Sequence, residues 1–273
     1  MLSSTMLPPQ TLIIVDGHNY YFRSYFGAKM HGQLSPAPER VIEFFWNSLR
    51  RIIKNTAPTH CAVVFDAPDS LKKKREEIAD YKANRPEVEE DMFAAFAPLK
   101  ERLAKAKVGV FEVSGEEADD IIAGIAHTCI QKKSAQPIII SSDHDFFQVL
   151  DSGIRLYREI KGEGGFFSKG DFVTKFAFEP KLYADYLALK GDKTDNIGGV
   201  AGIGEKGARE LVSRFGSLES IYENLDFVPW KYARRLQEGR EAAFSLRTFV
   251  ALTGDIAPEF RLEDMDFDVV SLY

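Results

Sequence analysis

Three short apolar segments of this chain each run into an aspartate, and this pattern constrains the fold more than any other feature. The segments are rich in β-branched residues, and they are followed by Asp16, by Asp66, and by the pair Asp143 and Asp145. Such segments are typical of buried parallel strands, whose carboxyl ends form the ligand-binding edge of an α/β sheet. We therefore expect these carboxylates to meet at one edge of a sheet.

Five further acidic residues extend this set. They are Glu117, Asp119 and Asp120, which open an apolar helical run, and Asp192 and Asp195 further along the chain. Any single one could instead cap a helix or occupy a turn, and that alternative stays open. It explains the whole set less well, because caps need not recur as Asp-x-Asp, Glu-x-Asp-Asp and Asp-x-x-Asp. Converging carboxylates repel one another unless cations neutralise them, and oxygen-rich sites suit Mg²⁺ or Mn²⁺.

Composition limits the class of protein without deciding its function. A chain of 273 residues can bury a substantial core, as one large domain or a domain with an appended lobe. Cys61 and Cys129 lie in apolar surroundings without metal-ligand spacing, which predicts buried, reduced thiols in a cytosolic protein. Residues 1–10 do not resemble a secretion signal, and no apolar run is long enough to span a bilayer, so we expect no membrane association. The net charge of −6 does not exclude a nucleic-acid partner, because the nine clustered acids account for more than this deficit.

Strands and helices alternate along the first part of the chain, which is typical of an α/β fold. Apolar residues at helical spacing predict a crossover helix between Pro38 and Pro58, and a second long helix from Asp91 to Lys107 with a kink at Pro98. Strands are predicted at 12–15, 62–65, 108–113, 138–140 and 154–157. From Pro180 onward the pattern is wholly helical. We therefore expect an α/β domain over residues 1–180 and a helical region over residues 181–273.

A basic segment follows the strand that ends near Asp66. It contains Lys72, Lys73, Lys74 and Arg75, and then the run Tyr81-Lys82-Ala83-Asn84-Arg85. A charged run is usually a solvated helix face, and the neighbouring acids support that alternative. Because this segment leaves the same sheet edge as the acids, it could instead hold phosphate oxygens over the metals, with Tyr81 stacking on a base.

A glycine-rich segment joins two predicted helices in the C-terminal part. Five glycines lie between residues 198 and 207, and Gly202 and Gly204 precede Lys206 at the start of a helix. Glycines let backbone amides approach a phosphate, and a helix N-terminus favours an anion, so this segment is predicted to cradle a DNA phosphate. The alternative is a flexible loop between helices. The segment is not a Walker loop, because Gly-Lys-Ser/Thr is absent.

Together these residues resemble the structure-specific 5′ nucleases, the family of flap endonucleases and 5′-3′ exonucleases that includes the N-terminal domain of bacterial DNA polymerase I. The resemblance covers about residues 11 to 255. The motifs that carry it are Val15-Asp16-Gly17, Phe65-Asp66, Tyr81 to Pro86, Glu117-Ala118-Asp119-Asp120, Asp143-His144-Asp145, Gly191-Asp192 with Asp195-Asn196, and Gly202 to Ala208.

The resemblance implies a PIN-like parallel sheet flanked by helices, a helical gateway at about residues 70–92, and a C-terminal helix-three-turn-helix region that binds duplex DNA with the help of potassium. It implies that two divalent cations, Mg²⁺ or Mn²⁺, bind the acidic set. One would be held by Asp16, Asp66, Glu117 and Asp119, and the other by Asp143, Asp145, Asp192 and Asp195, with Asp119 or Asp120 nearby. Lys82 and Arg85 would clamp the scissile phosphate, and Arg23 could assist. DNA contacts would come from Lys72, Lys73, Lys74, Arg75, Tyr81, Gly202, Gly204 and Lys206.

The expected activity is two-metal hydrolysis of DNA at a 5′ flap, nick or 5′ end in replication and repair. We expect a monomer in the bacterial cytoplasm, associated with the nucleoid, with a DNA polymerase or ligase as a protein partner. Gly198 and Ala201 stand where the polymerase I pattern tends to have prolines, which predicts a weaker grip on duplex DNA. A PIN-type ribonuclease should lack the glycine-rich segment and the basic segment, and a non-catalytic scaffold should have lost carboxylates. A haloacid-dehalogenase-like phosphatase needs Asp-x-Asp on its first strand, which Asp16-Gly17-His18 lacks.

Overall fold

A six-stranded sheet forms the centre of the structure, a computed structural model that describes residues 10–29, 35–84, 90–160 and 163–267. The strands are β1 Thr11–Asp16, β2 His60–Val64, β3 Gly109–Phe111, β4 Gln136–Ile140, β5 Arg155–Ile160 and β6 Glu163–Phe167. Their order is β3-β2-β1-β4-β5-β6, with all pairings parallel except β5 with β6.

The register of the central strands brings their carboxyl ends to one level. Asp16 at the end of β1 lies opposite Val64 of β2, and Val15 lies opposite Ile140 of β4. Asp66 therefore follows β2 by two residues, and Asp143 follows β4 by three, along the same edge of the sheet. Polar groups beyond the ends of parallel strands lie at the usual ligand-binding edge of such sheets.

Eleven helices are described in this part of the chain. They are α1 Gly17–Lys29, α2 Pro38–Thr56, α3 Lys72–Glu77, α4 Phe96–Lys105, α5 Ala118–Lys132, α6 Lys169–Phe176, α7 Tyr183–Lys190, α8 Glu205–Phe215, α9 Leu218–Glu223, α10 Trp230–Glu238 and α11 Arg240–Val250. Short 3₁₀ helices cover Glu90–Phe93, Asp145–Ser152, Pro180–Leu182, Leu225–Phe227 and Leu262–Met265. A two-strand ladder joins β7 Gly191–Asp192 to β8 Ile197–Gly198.

The two faces of the sheet bury separate hydrophobic cores. Ile13 and Val15 of β1 point toward a core built mainly from α1, α2 and α4, whereas Leu12 and Ile14 point toward α5 and α7. Alternation of this kind follows from the two-residue period of a strand, and burial of each large aliphatic side chain contributes roughly 1.5–3 kcal/mol. The chain is thus an α/β sheet with helices on both faces, followed by a helical region.

The fold class predicted from sequence is confirmed, and three details were wrong. The predicted helix from Asp91 to Lys107 is a 3₁₀ turn at Glu90–Phe93 followed by α4, and Pro98 lies in the first turn of α4. It causes no kink there, because the first backbone amides of a helix have no intrahelical acceptor to lose. The antiparallel strand β6 was missed, and the region after Pro180 is not wholly helical, because it contains β7 and β8.

Two further features concern the cysteines and the length of the helices. Cys61 and Cys129 are buried and form no disulfide, as predicted. Within the described ranges, none of the helices combines the length and apolar character needed to cross a bilayer.

Candidate active site

Asp16 is the buried centre of the acidic set. Its Oδ2 accepts a hydrogen bond from Ser141 Oγ at 2.8 Å, and its Oδ1 accepts one from the backbone amide of Asn19 at 3.0 Å. Burial outweighs these bonds and, together with the nearby Asp143 and Asp66, raises its pKa to about 7. Ser141 directly follows β4, so this contact joins the ends of β1 and β4.

Asp119 and Asp145 share the same environment. Burial first, and then the charge of Asp143, raise the pKa of both carboxyls well above the ordinary value. Asp16 and Asp66 add to the effect at Asp119, whereas Asp195 and Asp192 add to it at Asp145. Seven of the nine predicted carboxylates are therefore close enough to repel one another: Asp16, Asp66, Asp119, Asp143, Asp145, Asp192 and Asp195.

A polar cavity of about 250 Å³ lies at the β4 side of this group. Its lining consists of Asn19, Ser142, Asp143, His144, Asp145, Asp192, Thr194 and Asp195. Residues from the end of β4 and from the loop between β7 and β8 therefore face each other across one space. This cavity is large enough for cations together with a phosphate group.

Glu117 and Asp120 have different partners from the other acids. Glu117 pairs with Lys82 and with Lys74, the latter at 2.5 Å, and accepts a hydrogen bond from Tyr81 Oη at 3.1 Å. Burial acts to raise the pKa of Glu117, but the two lysines outweigh it and hold the pKa below its usual value. Asp120 lies 3.2 Å from the same Lys74. Both carboxylates are thus paired with lysines in this conformation.

Asp66 has a structural contact as well as a place in the acidic set. Its Oδ1 accepts a hydrogen bond from the backbone amide of Ala118 at 2.8 Å, so it binds the N-terminus of α5. Its own amide donates to His18 Nδ1 at 3.0 Å. Asp66 is not the N-cap residue of this helix, which is Glu117, so the contact is a tertiary one that fixes the start of the helix carrying Asp119.

The donor chemistry of the acidic set suits a hard divalent cation. Buried carboxylates with raised pKa values lose repulsion when a cation is shared between them, and all the donors are oxygen atoms. Among the described residues, however, no three acidic, histidine or cysteine side chains already surround a point where a metal ion could sit. Side-chain rotation would be needed to complete a coordination shell.

The basic segment is tied to the loop that carries Asp192 and Asp195. The backbone amide of Lys82 donates to the Asp195 carbonyl at 2.9 Å, and Asn84 Nδ2 donates to the Lys193 carbonyl at 2.8 Å. In the opposite direction, Asn196 Nδ2 donates a hydrogen bond to the Asp80 carbonyl at 2.8 Å. Sequence reasoning did not assign these roles to Asn84 and Asn196, although both lie inside recognised motifs.

The members of the basic segment divide by burial. Lys72, Lys73 and Arg75 are exposed, whereas Lys74 is half-buried and Lys82 is buried toward the acids. Tyr81 is also buried, edge-on to Phe249 at 5.1 Å between ring centroids. The prediction that Tyr81 stacks on a base is therefore wrong for this conformation, because its ring faces α11. Arg85 lies outside the described residues.

Two arginines lie near the acidic set, and only one of them, Arg23, was predicted from the sequence. Arg23 reaches Glu159 at 3.5 Å, so its predicted assistance at the phosphate stays a prediction. Arg158 of β5 was missed, yet it is buried and donates to the Ser142 carbonyl at 2.6 Å. Burial lowers the pKa of its guanidinium, and the nearby Asp143 acts in the opposite direction. Its position at the end of a predicted β-strand, beside Leu156 and Tyr157, was the signal that could have revealed it.

The glycine-rich segment is shaped mainly by close packing. A Cβ on Gly199 would clash with the backbone of residues 189–191, and one on Gly207 would crowd the ring of Tyr232. Gly202 has a φ of +78°, and Arg235 donates to its carbonyl. Gly204 differs from these, since it precedes α8 with an ordinary φ of −91° and faces open space. Gly204 and the exposed Lys206, at the start of α8, therefore remain accessible to DNA.

Family models match almost the whole described chain. Residues 11–177 match the 5′-3′ exonuclease, N-terminal resolvase-like domain, and residues 178–271 match the 5′-3′ exonuclease, C-terminal SAM fold. The chain belongs to the 5′-3′ exonuclease family. It is a nuclease that hydrolyses phosphodiester bonds of DNA, as the sequence predicted.

Relatives of this nuclease occur both alone and within longer proteins. A 5′-3′ exonuclease of Aquifex aeolicus is 35% identical over 94% of this chain and 86% of its own length. Flap endonuclease Xni of Cronobacter sakazakii is 32% identical over 94% of this chain and 98% of its own length. DNA polymerase I of Borreliella burgdorferi is 33% identical over 96% of this chain, which spans only 29% of that protein.

A solved structure of the T5 5′-exonuclease with divalent metal ions (zinc) bound is also similar to this nuclease. It superimposes with a TM-score of 0.74 and 25% identity, over 89% of this chain and 90% of that one. The catalytic core of Rad2 in complex with a DNA substrate is 18% identical with a TM-score of 0.57, over 88% of this chain and 78% of that one, and it shares the fold.

Proposed function

We propose that this nuclease cleaves DNA at a 5′ flap, nick or 5′ end with two divalent cations held by the acidic set. The observation that carries the proposal is the convergence of Asp16, Asp119, Asp143 and Asp145. The pKa values of Asp16, Asp119 and Asp145 are raised, and the charge of Asp143 contributes to each of these shifts. When bound, the cations would supply a water of lowered pKa and stabilise charge on the scissile phosphate and the leaving oxygen.

We propose that the carboxylates form two groups. Asp16, Asp66 and Asp119 would hold one cation, and Asp143, Asp145, Asp192 and Asp195 the other, with Asp143 also close to Asp16 and Asp119. Glu117 could bind a cation with the first group only if its ion pairs with the two lysines were broken. Asp120 is likewise paired with Lys74. We propose Mg²⁺ or Mn²⁺ as the cations, since all the donors are carboxylate oxygens.

Lys82 would act on the phosphate rather than on the metals. Its ammonium lies beside Glu117 and 3.9 Å from Asp195 Oδ2, so it stands between the two acidic groups. A positive charge held there would attract the scissile phosphate and stabilise the charge that develops in the transition state. Arg85 and Arg23 are proposed as further cations at that phosphate.

The helical region would bind the duplex beside the cut. Gly204 and Lys206 present a backbone amide and a cation at the start of α8, where an anion is favoured. Such contacts to phosphates carry no sequence information, so recognition would depend on DNA structure. The same proposal includes a potassium ion at this region, a monomeric state, and a DNA polymerase or ligase as a partner. The buried free thiols agree with a reducing compartment, such as the bacterial cytoplasm at the nucleoid.

The proposal is tested by separating binding from cleavage. We expect Asp143→Ala and Asp195→Ala to abolish cleavage of a 5′-flap substrate while DNA affinity persists or increases, because each change removes a negative charge that repels phosphate. Asp226→Ala, at an exposed position of the helical region, is the matched control and should keep wild-type cleavage. Near-normal turnover in Asp143→Ala, or cleavage of single-stranded RNA in preference to flap DNA, would exclude this function.

A further inference from the structure

An aromatic cavity lies on the other side of the acidic set from the polar one. It has a volume of about 490 Å³, within the range of roughly 300–1,000 Å³ that is typical of small-ligand sites. Its lining consists of His18, Asp66, Ala67, Pro68, Phe93, Phe96, Lys100 and Glu112. Asp66 is a member of the acidic set, so the cavity opens directly beside the proposed metal site.

The walls of this cavity present aromatic faces. Phe93 and Phe96 lie 5.1 Å apart between ring centroids, and Phe96 lies 5.0 Å from the ring of His18. Phe93 is 42% exposed, so its ring is accessible to a ligand in the cavity. Tyr21 Oη donates to the Met92 carbonyl at 2.6 Å, and this contact fixes the turn that carries Phe93.

Polar groups stand at one side of the same cavity. Lys100 and Glu112 form an ion pair there, and about one third of each side chain is exposed. Lys100 also lies over the rings of Phe65 and Phe96, at 5.1 and 5.9 Å from their centroids. Aromatic walls with a few polar groups at the side match the stacking face and the hydrogen-bonding edge of a nucleobase.

We propose that this cavity receives the base of the nucleotide on the 5′ side of the cut, the nucleotide that leaves with the product. This inference rests on the proposed function. The position in the fold decides which nucleotide it is. The start of α8 carries the proposed duplex contacts, Gly204 and Lys206, and only residues 199–204 separate it from the two-strand ladder that contains Asp192. The aromatic cavity lies at the Asp66 end, next to β2 and β3, so it faces the strand that departs from the duplex.

Stacking in this cavity would orient the scissile phosphate. A base stacked on the exposed ring of Phe93 would have its sugar fixed, and the phosphate that follows would then be held near Asp66. Stacking of one base on an aromatic side chain is typically worth enough to change affinity by roughly 5- to 100-fold. The cavity would act on any base, because every base has a π face.

The experiment uses flap DNA in which the leaving nucleotide carries either a normal base or no base. With calcium in place of magnesium to suppress cleavage, we expect wild-type protein to bind the abasic flap about tenfold more weakly than the normal one. Phe93→Ala should bind both flaps equally, at the weaker level. A 2-aminopurine at the leaving position should lose fluorescence on binding wild-type protein and lose less on binding Phe93→Ala.

Matched variants separate stacking from folding. Phe227→Ala removes another exposed phenylalanine, from the helical region, and should keep the wild-type preference for the normal flap. Phe93→Tyr retains a ring and should restore that preference, whereas Phe93→Leu retains only apolar volume and should not. Equal binding of normal and abasic flaps by wild-type protein would overturn the inference. Loss of all flap binding by wild-type protein would instead overturn the proposed function.

Discussion

The ammonium of Lys82 and the carboxylate of Glu117 form an ion pair that is almost completely buried, with 5% and 2% of the side chains exposed. Lys82 has a φ of 55°, a left-handed conformation that residues other than glycine rarely adopt, so its surroundings impose the position. Its amide is fixed by the Asp195 carbonyl at 2.9 Å. The pair therefore joins the proposed phosphate clamp to a proposed metal ligand. A phosphate that binds Lys82, or a cation that binds Glu117, must compete with this ion pair.

Lys82→Ala should slow the chemical step much more than it weakens DNA binding. A positioned charge that stabilises a transition state is typically worth a few kcal/mol, which predicts single-turnover cleavage about 10²-fold slower. Lys54→Ala, at an exposed position of α2, is the control and should stay within about threefold of wild type. Rapid-quench measurement at saturating enzyme gives the rate directly, and equal rates for the two variants would place Lys82 outside the chemistry.

Stability without metal should fall as pH rises. The folded-state pKa of Asp16 is about 7 against an ordinary 3.8, so between these values the folded protein binds a proton that the unfolded chain has lost. Raising the pH through this window therefore lowers the free energy of unfolding, and above about pH 7 the loss is complete. Asp119 and Asp145 act in the same direction, because their pKa values are also raised.

Thermal midpoints in chelator at about pH 5 and about pH 8 measure this effect. We expect a lower midpoint at the higher pH, and a smaller difference with Mg²⁺ or Mn²⁺, since a bound cation neutralises the carboxylates. Asp16→Asn should reduce the pH dependence and raise the midpoint at high pH. A midpoint in chelator that rises with pH would show that these carboxylates are already ionised and paired when the metal is absent.

The sequence predicted that the carboxylates converge, but not which basic side chains pair with them. Runs of β-branched residues predicted the strands, and strand ends must meet at one sheet edge, so Asp16, Asp66 and Asp143 could be brought together without coordinates. Which lysine faces which carboxylate depends on tertiary packing, and the burial of Tyr81 against Phe249 joins residues far apart in sequence. A run of charged residues predicts a basic surface, but it does not show which of the side chains are buried.

The glycine-rich segment shows the same limit. The sequence predicted that the backbone of both Gly202 and Gly204 approaches a phosphate. Gly202 has a positive φ, and a Cβ there would also clash with Arg235, whereas Gly204 has neither constraint. Gly202→Ala should therefore lower the thermal midpoint, whereas Gly204→Ala should leave it unchanged and weaken DNA binding if the amide contacts a phosphate. Melting curves and flap affinities of the two variants make the comparison.

Lys206→Ala should weaken binding of duplex-containing DNA specifically. Removing one phosphate contact lowers the slope of log affinity against log salt by roughly one. Affinities for a flap substrate and for a single strand are measured against salt, with calcium replacing magnesium. Arg214→Ala at the far end of α8 is the control. Equal losses on the two substrates would mean that this hairpin is not the duplex anchor, and Lys231, Arg234, Arg235 and Arg240 would be tested next.

Gln148 connects the C-terminal segment to the acidic set. Its Nε2 donates to the Val250 carbonyl at 3.0 Å, and its Oε1 accepts from the Leu252 amide at 3.1 Å. Gln148 lies in the 3₁₀ helix that begins at Asp145, so these two bonds fix the chain after α11 against an element that carries a carboxylate. The same stretch passes over α5 at Gly124, where the Ile256 carbonyl leaves no space for a side chain.

Gln148→Ala should therefore disturb metal binding as well as stability. Two lost hydrogen bonds to partly buried backbone cost about 1–3 kcal/mol, which should lower the thermal midpoint by several degrees. Because the 3₁₀ helix is then held less firmly, the Mn²⁺ concentration needed for half-maximal cleavage should rise several-fold, with a smaller change in rate at saturating Mn²⁺. Gln131→Ala, an exposed glutamine on α5, is the control for both measurements. A lower midpoint with an unchanged Mn²⁺ requirement would show that the C-terminal segment stabilises the fold without positioning Asp145.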